Sequence, residues 1–283
     1  MRYGVTSCLS LGIVSSMALG LVIAQFVGAV ALVVLAWFVG KQKLGFTWAS
    51  LGWGTLAFPL SQVARLVLVV PLQIAFEQFL QPATAAAATM SVMVLTSGLF
   101  EETTRWVVLR YWAKHTRQWH DGVGFGLGHG GIEALLLFIP ALITNVTLLT
   151  NGEWYKGIVG QSGDTEAVQA ISQQIEALQN IGAGMVAASW YERVLAMTVH
   201  VAFTLIILRA VRERRWQLWL LAVMCHIGYN AVAVTVAQHS MVAMYVLLTV
   251  LTATGLWAVV AGPLSRQAFA RQAFERDGEA PAR

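Results

Sequence analysis

Four polar clusters interrupt an otherwise apolar chain of 283 residues: EETTR at 101–105, FGLGHGGIE at 125–133, YERVLAMTVH at 191–200 and HIGYN at 226–230. On an α-helix, residues three and four apart share a face. Glu101 and Glu102 therefore both reach Arg105, His129 stands over Glu133, and His226 stands over Asn230. A carboxylate beside imidazoles can serve as general base for a water molecule. Arg105 would hold one glutamate ionised and oriented, while His and Asn donors opposite could stabilise an oxyanion as a carbonyl is attacked. That set of groups suits a hydrolase that adds water to an amide. Imidazoles with carboxylates are also zinc ligands, and a bound ion would activate the water instead. HExxH is absent from the sequence, so the residues supply a ligand set without a metalloprotease signature.

The elements that must position these groups are membrane spans. Hydrophobic residues make up 57% of the chain and charged residues 11%, against about 25% charged in a soluble domain. The mean hydropathy of +0.66 agrees. The pI of about 9.3 is no nucleic-acid footprint, because most of the 18 Lys and Arg residues flank apolar runs, where they set topology. The two cysteines, Cys8 and Cys225, lie in apolar segments and form no CxxC motif, which excludes a disulfide framework and a metal ribbon. The first apolar run continues to Val39 without a charge after Arg2. A signal-peptide core runs only ~7–15 residues, so this run reads as a first span that is retained.

A bilayer core of about 30 Å asks for ~20 apolar residues per helix, and seven segments meet that requirement: 9–39, 46–76, 84–112, 121–149, 184–210, 216–238 and 240–262. The predicted fold is all-α, a polytopic bundle forming a single transmembrane domain over 1–263. Pro59 and Pro71 mark a kink or re-entrant bend in the second span. Basic residues follow spans one (Lys41, Lys43), three (Arg110, Lys114, Arg117), five (Arg209, Arg212, Arg214, Arg215) and seven (Arg266, Arg271, Arg276, Arg283). With seven spans these places share one side, which makes it cytoplasmic and puts the amino terminus outside. The loop 150–183 then lies outside. Val168, Ile171, Ile175, Leu178 and Ile181 recur in it at helical spacing, an amphipathic helix started by Thr165 and Glu166. Residues 264–283 read as a flexible cytoplasmic tail.

Each cluster also has a plainer explanation. A single intramembrane histidine commonly makes a helix–helix hydrogen bond, and for His200 that reading weighs as much as a functional one. The glycines around His129 serve close helix approach or local unwinding. Glu192 and Arg193 read as an interfacial ion pair. What packing alone does not explain is two glutamates, two histidines, a further glutamate and an asparagine arriving together on three spans.

In this order the motifs resemble those of the CAAX-protease and bacteriocin-processing family of intramembrane proteases: a Glu-Glu…Arg helix, Phe-x-x-x-His and His-x-x-x-Asn. GHGGIE within the second motif is similar to the YhfC branch, and the resemblance covers about 85–235. It implies a multi-pass protein of a bacterial inner (plasma) membrane that cleaves a membrane protein or peptide in or near the bilayer. Lipids and that substrate are its partners; nucleic acid is not. Carried over, Glu101 is the water-activating glutamate, Glu102 its supporting partner and Arg105 their anchor. His129 and His226 position the water or polarise the carbonyl, and Asn230 stabilises the oxyanion. Glu133 and His200 have no counterpart in the three motifs and are expected as additional site residues. Two residues separate Glu-Glu from Arg here, one fewer than in the family pattern, which turns Arg105 by about 100° on its helix. The glutamic, cofactor-free route is the one adopted; a metal version would bind zinc through His129, Glu133, His200 and His226. The rival class is a transporter or scaffold of the same fold, in which Glu and His relay protons.

Overall fold

The computed structural model describes residues 3–277, with side chains described from 16 to 271. Its elements are helices in chain order: α1 (Tyr3–Leu44), α2 (Trp48–Phe79), α3 (Pro82–Val107), α4 (Trp119–Gly160), α5 (Thr165–Gln179), α6 (Ala183–Glu213), α7 (Trp216–Ala237), α8 (Met241–Val260) and α9 (Arg266–Asp277). Among the described residues seven helices are long and apolar enough to cross a membrane: α1 from Ser16, α2, α3 with its extension to Trp112, α4, α6, α7 and α8. The chain is an all-helical, multi-pass membrane protein with the seven spans expected.

The chain forms two compact units. One comprises residues up to Val34 together with Ala134–Val194; the other comprises Leu35–Glu133 and Leu195 onward. Within the first, Ala18 and Val22 of α1, Leu148 of α4, Leu178 of α5, Ile181 and Val186 make a buried cluster. Ile171 and Ile175 pack against it, so the apolar stripe of the amphipathic helix is used for packing. Its N-cap is Asp164, whose carboxylate accepts from Ala167 N–H at 2.9 Å. Thr165, expected at the start, is the first helical residue: an acid one position earlier satisfies the same orphan donors. The span preceding this loop runs on to Gly160, helical apart from a break at Asn151, whereas the span was expected to end at residue 149.

The second unit holds every residue singled out for chemistry. Its largest core cluster includes Val108, Leu109, Phe125, Leu205 and Leu208. Close approach of α2 and α4 depends on two glycines. A Cβ at Gly128 would stand 2.1 Å from the Leu51 carbonyl oxygen, and one at Gly54 would stand 1.9 Å from that of Phe125. The glycines around His129 therefore serve close packing while α4 stays helical there. Thr47 caps α2, accepting from Ser50 N–H, and Asp121 near the start of α4 accepts from both Thr47 N–H (3.2 Å) and Thr47 Oγ1–H (3.0 Å). Helix α2 runs through Pro59 and Pro71 as one helix, so no re-entrant bend forms. At its end α3 widens over Val108–Trp112, closing with an i→i+5 bond from Ala113 N–H to the Val108 carbonyl at 2.7 Å; such turns are frequent beside functional sites.

The segment expected as a flexible tail begins with α9. Phe269 is buried in the core, and the Arg212 guanidinium lies 5.0 Å from its ring centroid. Residues 278–283, the end of that expected tail, lie outside the described residues.

Candidate active site

Three helices of the second unit, α3, α4 and α7, carry the motif residues, and α6 adds a fourth wall. Glu101, Glu102, Arg105, His129, His200 and His226 are all buried. Each helix contributes from one face, as the i, i+3 and i+4 spacing requires. Several ionisable groups buried together in a span are tolerable only if they compensate one another, and here they do.

Arg105 is at the centre. Its Nη1 donates to Glu102 Oε1, its Nη2 reaches His200 Nδ1 at 2.7 Å, and Glu101 Oε2 lies 3.7 Å from the same Nη2. The shortened motif thus places the arginine chiefly on Glu102, three residues back, while still near Glu101. Glu102 Oε1 also meets His226 Nδ1 at 2.8 Å. Glu101 Oε2 takes the other side of the site, 3.1 Å from His129 Nε2 and 3.9 Å from His226 Nε2. Glu133 pairs with His200 Nε2 across two helices; its own-helix neighbour His129 turns to Glu101 instead. The His129 and His200 rings are 5.2 Å apart, as are those of His200 and His226. Phe58 meets His129 edge-on at 5.4 Å and Phe203 stacks on His226 at 5.0 Å, fixing the imidazoles from the apolar side. Phe203 also lines an apolar cavity of about 490 Å³ between α6, α7 and α8.

All the predicted residues except Asn230 therefore form one connected cluster. Asn230 stands a turn away: its Nδ2 donates to Ser97 Oγ at 2.7 Å, and Ser97 lies one turn before Glu101. Two participants escaped the sequence reading. Gln62 Nε2 donates to Glu101 Oε1 at 3.3 Å, and Arg65 Nη1 donates to Gln62 Oε1 at 3.1 Å. The signal was present as SQVAR at 61–65, a serine, a glutamine and an arginine at one-turn spacing inside an apolar span.

A metal ion fits this cluster. Glu101, His129, Glu133 and His200 each bring a ligand atom within 4.8 Å of all the others. Ligands at 2.0–2.1 Å from a tetrahedral zinc ion stand about 3.3 Å apart, so modest side-chain movement would close the set. Compared with the set expected from sequence, Glu101 takes the place of His226. Three buried polar atoms of the same cluster, Glu102 Oε2, Arg105 Nε and His129 Nδ1, have no hydrogen-bond partner among the described residues, a pattern that marks sites where an ion or water belongs.

Seven apolar helices and a buried glutamate–histidine–arginine cluster carried by α3, α4, α6 and α7 mark a polytopic membrane protein that holds ionisable groups within its spans. The sequence profile of the YhfC intramembrane metalloprotease family matches residues 26–252, and the chain belongs to that family. It is also 32% identical over 143 residues to an uncharacterized membrane protein YhfC of Bacillus subtilis (strain 168), a match covering 50% of this chain and 54% of that protein. The alignment thus spans about half the length of that relative. No solved structure matches the chain significantly.

Proposed function

We propose that this protein is a metal-dependent endopeptidase that cleaves a peptide bond in or near the bilayer. The observation that carries the reading is the convergence of Glu101, His129, Glu133 and His200 at ligand spacing inside a membrane-spanning bundle. The family's description as an intramembrane metalloprotease supports it.

Glu101, His129 and Glu133 would hold the ion, leaving an open position as catalytic sites do. A bound divalent ion supplies Lewis acidity and a nucleophilic water at neutral pH. His200 differs from the other three. A guanidinium can only donate, so Arg105 makes His200 Nδ1 an acceptor. The ring proton then lies on Nε2, where it faces Glu133. His200 acts as an oriented proton donor to Glu133, and Arg105 fixes its tautomer. Glu102, accepting from Arg105 and from His226 Nδ1, holds His226 with its Nε2 lone pair turned towards Glu101. That nitrogen is placed to take a proton from the attacking water or to pass one to the leaving amine. Asn230, with one amide hydrogen on Ser97, keeps its second for the developing oxyanion. The expected substrate is a membrane-embedded protein segment, because the site residues lie within apolar spans.

The cofactor-free route, with Glu101 as general base, uses the same side chains. It draws support from Glu101 Oε2 already being compensated by His129 and Arg105. Purified full-length protein separates the two. The metal reading expects one zinc or similar ion per chain, lost in His129→Ala, and one membrane protein accumulating uncleaved in cells that express Glu101→Gln. Metal-free protein that still processes that accumulated protein after exhaustive chelation would rule the metal out. An unchanged membrane proteome in Glu101→Gln cells would favour a transporter or scaffold.

A further inference from the structure

We propose that Gln62 and Arg65 of α2 form a positioning relay that selects which oxygen of Glu101 faces the site. The relay rests on the reading of Glu101 as a metal ligand.

Arg65 is a cation kept within an apolar span, and such residues are expensive there unless they have work. Its partners are all neutral: Nε donates to Thr96 Oγ1 at 3.0 Å, Nη1 to Gln62 Oε1 at 3.1 Å, and Nη2 to the Met93 carbonyl at 2.7 Å and Met93 Sδ at 3.2 Å. Three contacts on α3 and one on α2 immobilise a guanidinium whose fork is rigid. Among the described residues no direct ion pair joins it to a carboxylate; its charge orients the Gln62 dipole and also acts on Glu101 beyond it.

The dipole that matters is the Gln62 amide. Its oxygen accepts from Arg65, and its nitrogen donates to Ser61 Oγ at 3.2 Å and to Glu101 Oε1 at 3.3 Å. Both amide hydrogens and the oxygen have partners. Reversing the amide would set its oxygen against the Glu101 carboxylate and its NH2 against a guanidinium, two repulsive contacts, so Arg65 locks the orientation. With Oε1 held by Gln62, the remaining oxygen, Oε2, is the one that faces His129 at 3.1 Å, Arg105 at 3.7 Å and His226 at 3.9 Å. Gln62 and Arg65 do for Glu101 what a hydrogen-bonded outer group does for a metal-binding carboxylate: they fix its rotation and limit the ways it can bind.

The test is zinc affinity of the full chain in detergent, read by competition with a chromophoric chelator, alongside the melting temperature. Gln62→Met keeps volume and removes the donor. It is expected to weaken zinc binding by roughly tenfold or more, the usual cost of losing an outer partner, with little change in melting. Arg65→Met should weaken binding as well, although Arg65 is one residue removed from Glu101. In the Gln62→Met background it should add nothing further, a non-additivity that separate structural roles would not produce. Gln62→Glu, which keeps a partner for Arg65 but opposes Glu101 with a second carboxylate, covers the case in which Gln62→Met fails to fold. It too should weaken zinc binding. If wild type binds zinc and His129→Ala abolishes it, yet the Gln62 variants bind as wild type does, the relay is wrong and the site reading stands. If wild type binds no zinc, the site reading falls and takes the relay with it.

Discussion

His226 Nδ1 lies 2.8 Å from Glu102 Oε1, the same oxygen that accepts from Arg105. Glu102 is thereby enclosed by an imidazole and a guanidinium, whereas Glu101 presents Oε2 to His129 and His226. Adjacent glutamates on one helix, separated by about 100°, have been given different neighbourhoods.

This asymmetry predicts different phenotypes for Glu101→Gln and Glu102→Gln. Removing one member of a buried charge pair typically costs about 3–5 kcal/mol, because its partner is left uncompensated. Glu102→Gln removes the direct partner of Arg105, which is 0% exposed and keeps only the more distant Glu101 at 3.7 Å as counter-charge, and should lower the melting temperature sharply. Glu101→Gln leaves the Arg105–Glu102 pair intact, so it should melt near wild type while losing proteolysis of the accumulated membrane protein. Equal melting temperatures for the two variants would contradict the assignment.

The tautomer argument separates the histidines. His129→Ala removes a ligand and should abolish metal binding. His200→Ala removes a donor to Glu133 and an acceptor for Arg105 but no ligand, so zinc should bind within a few-fold of wild type while turnover falls. Metal titration of both purified variants decides the matter. Loss of zinc in His200→Ala would make it a ligand and require Arg105 to release Nδ1.

The spans and the three motifs were legible because bilayer length and helical periodicity act locally. Local spacing also brought Arg105 to both glutamates. It could not show that Glu133 would leave His129, its neighbour four residues earlier, for His200 on another helix, because that choice is made by how α4 and α6 pack. Gln62 and Arg65 were hidden for a related reason. In isolation they are two polar residues in a proline-containing span, and only the approach of α2 to α3 brings Gln62 within 3.3 Å of Glu101. Asp164 was passed over as a cap because Thr165 beside it is also a capping residue, although aspartate is the stronger of the two and is the one used.

Glycine substitutions test the packing that places His129. Gly128→Ala would force a Cβ to within 2.1 Å of the Leu51 carbonyl oxygen, a backbone atom that cannot step aside. Helices α2 and α4 must then separate, carrying His129 away from Glu101, and both melting temperature and metal affinity should fall. Gly228→Ala is the control: nothing lies within 4 Å of the position its new methyl group would take, and replacing a helix-interior glycine stabilises by roughly 0.5–1 kcal/mol. Its melting temperature should hold or rise. Tolerance of Gly128→Ala would mean the close approach is not required.

We propose the orientation in which the basic residues that close the first, third, fifth and seventh spans face the cytoplasm, and labelling tests it directly. Lys114 follows the third span and Ser162 lies between α4 and α5, both exposed. One span separates them, so they must face opposite sides. In a chain with Cys8 and Cys225 replaced by alanine, Ser162→Cys should react with a membrane-impermeant maleimide on intact cells. Lys114→Cys should react only after the membrane is opened, because excess Lys and Arg stays on the cytoplasmic side. The reversed pattern would invert the topology and put the amino terminus inside. Labelling of both from outside would be incompatible with α4 crossing the membrane, and with it the placement of His129 and Glu133 inside a span.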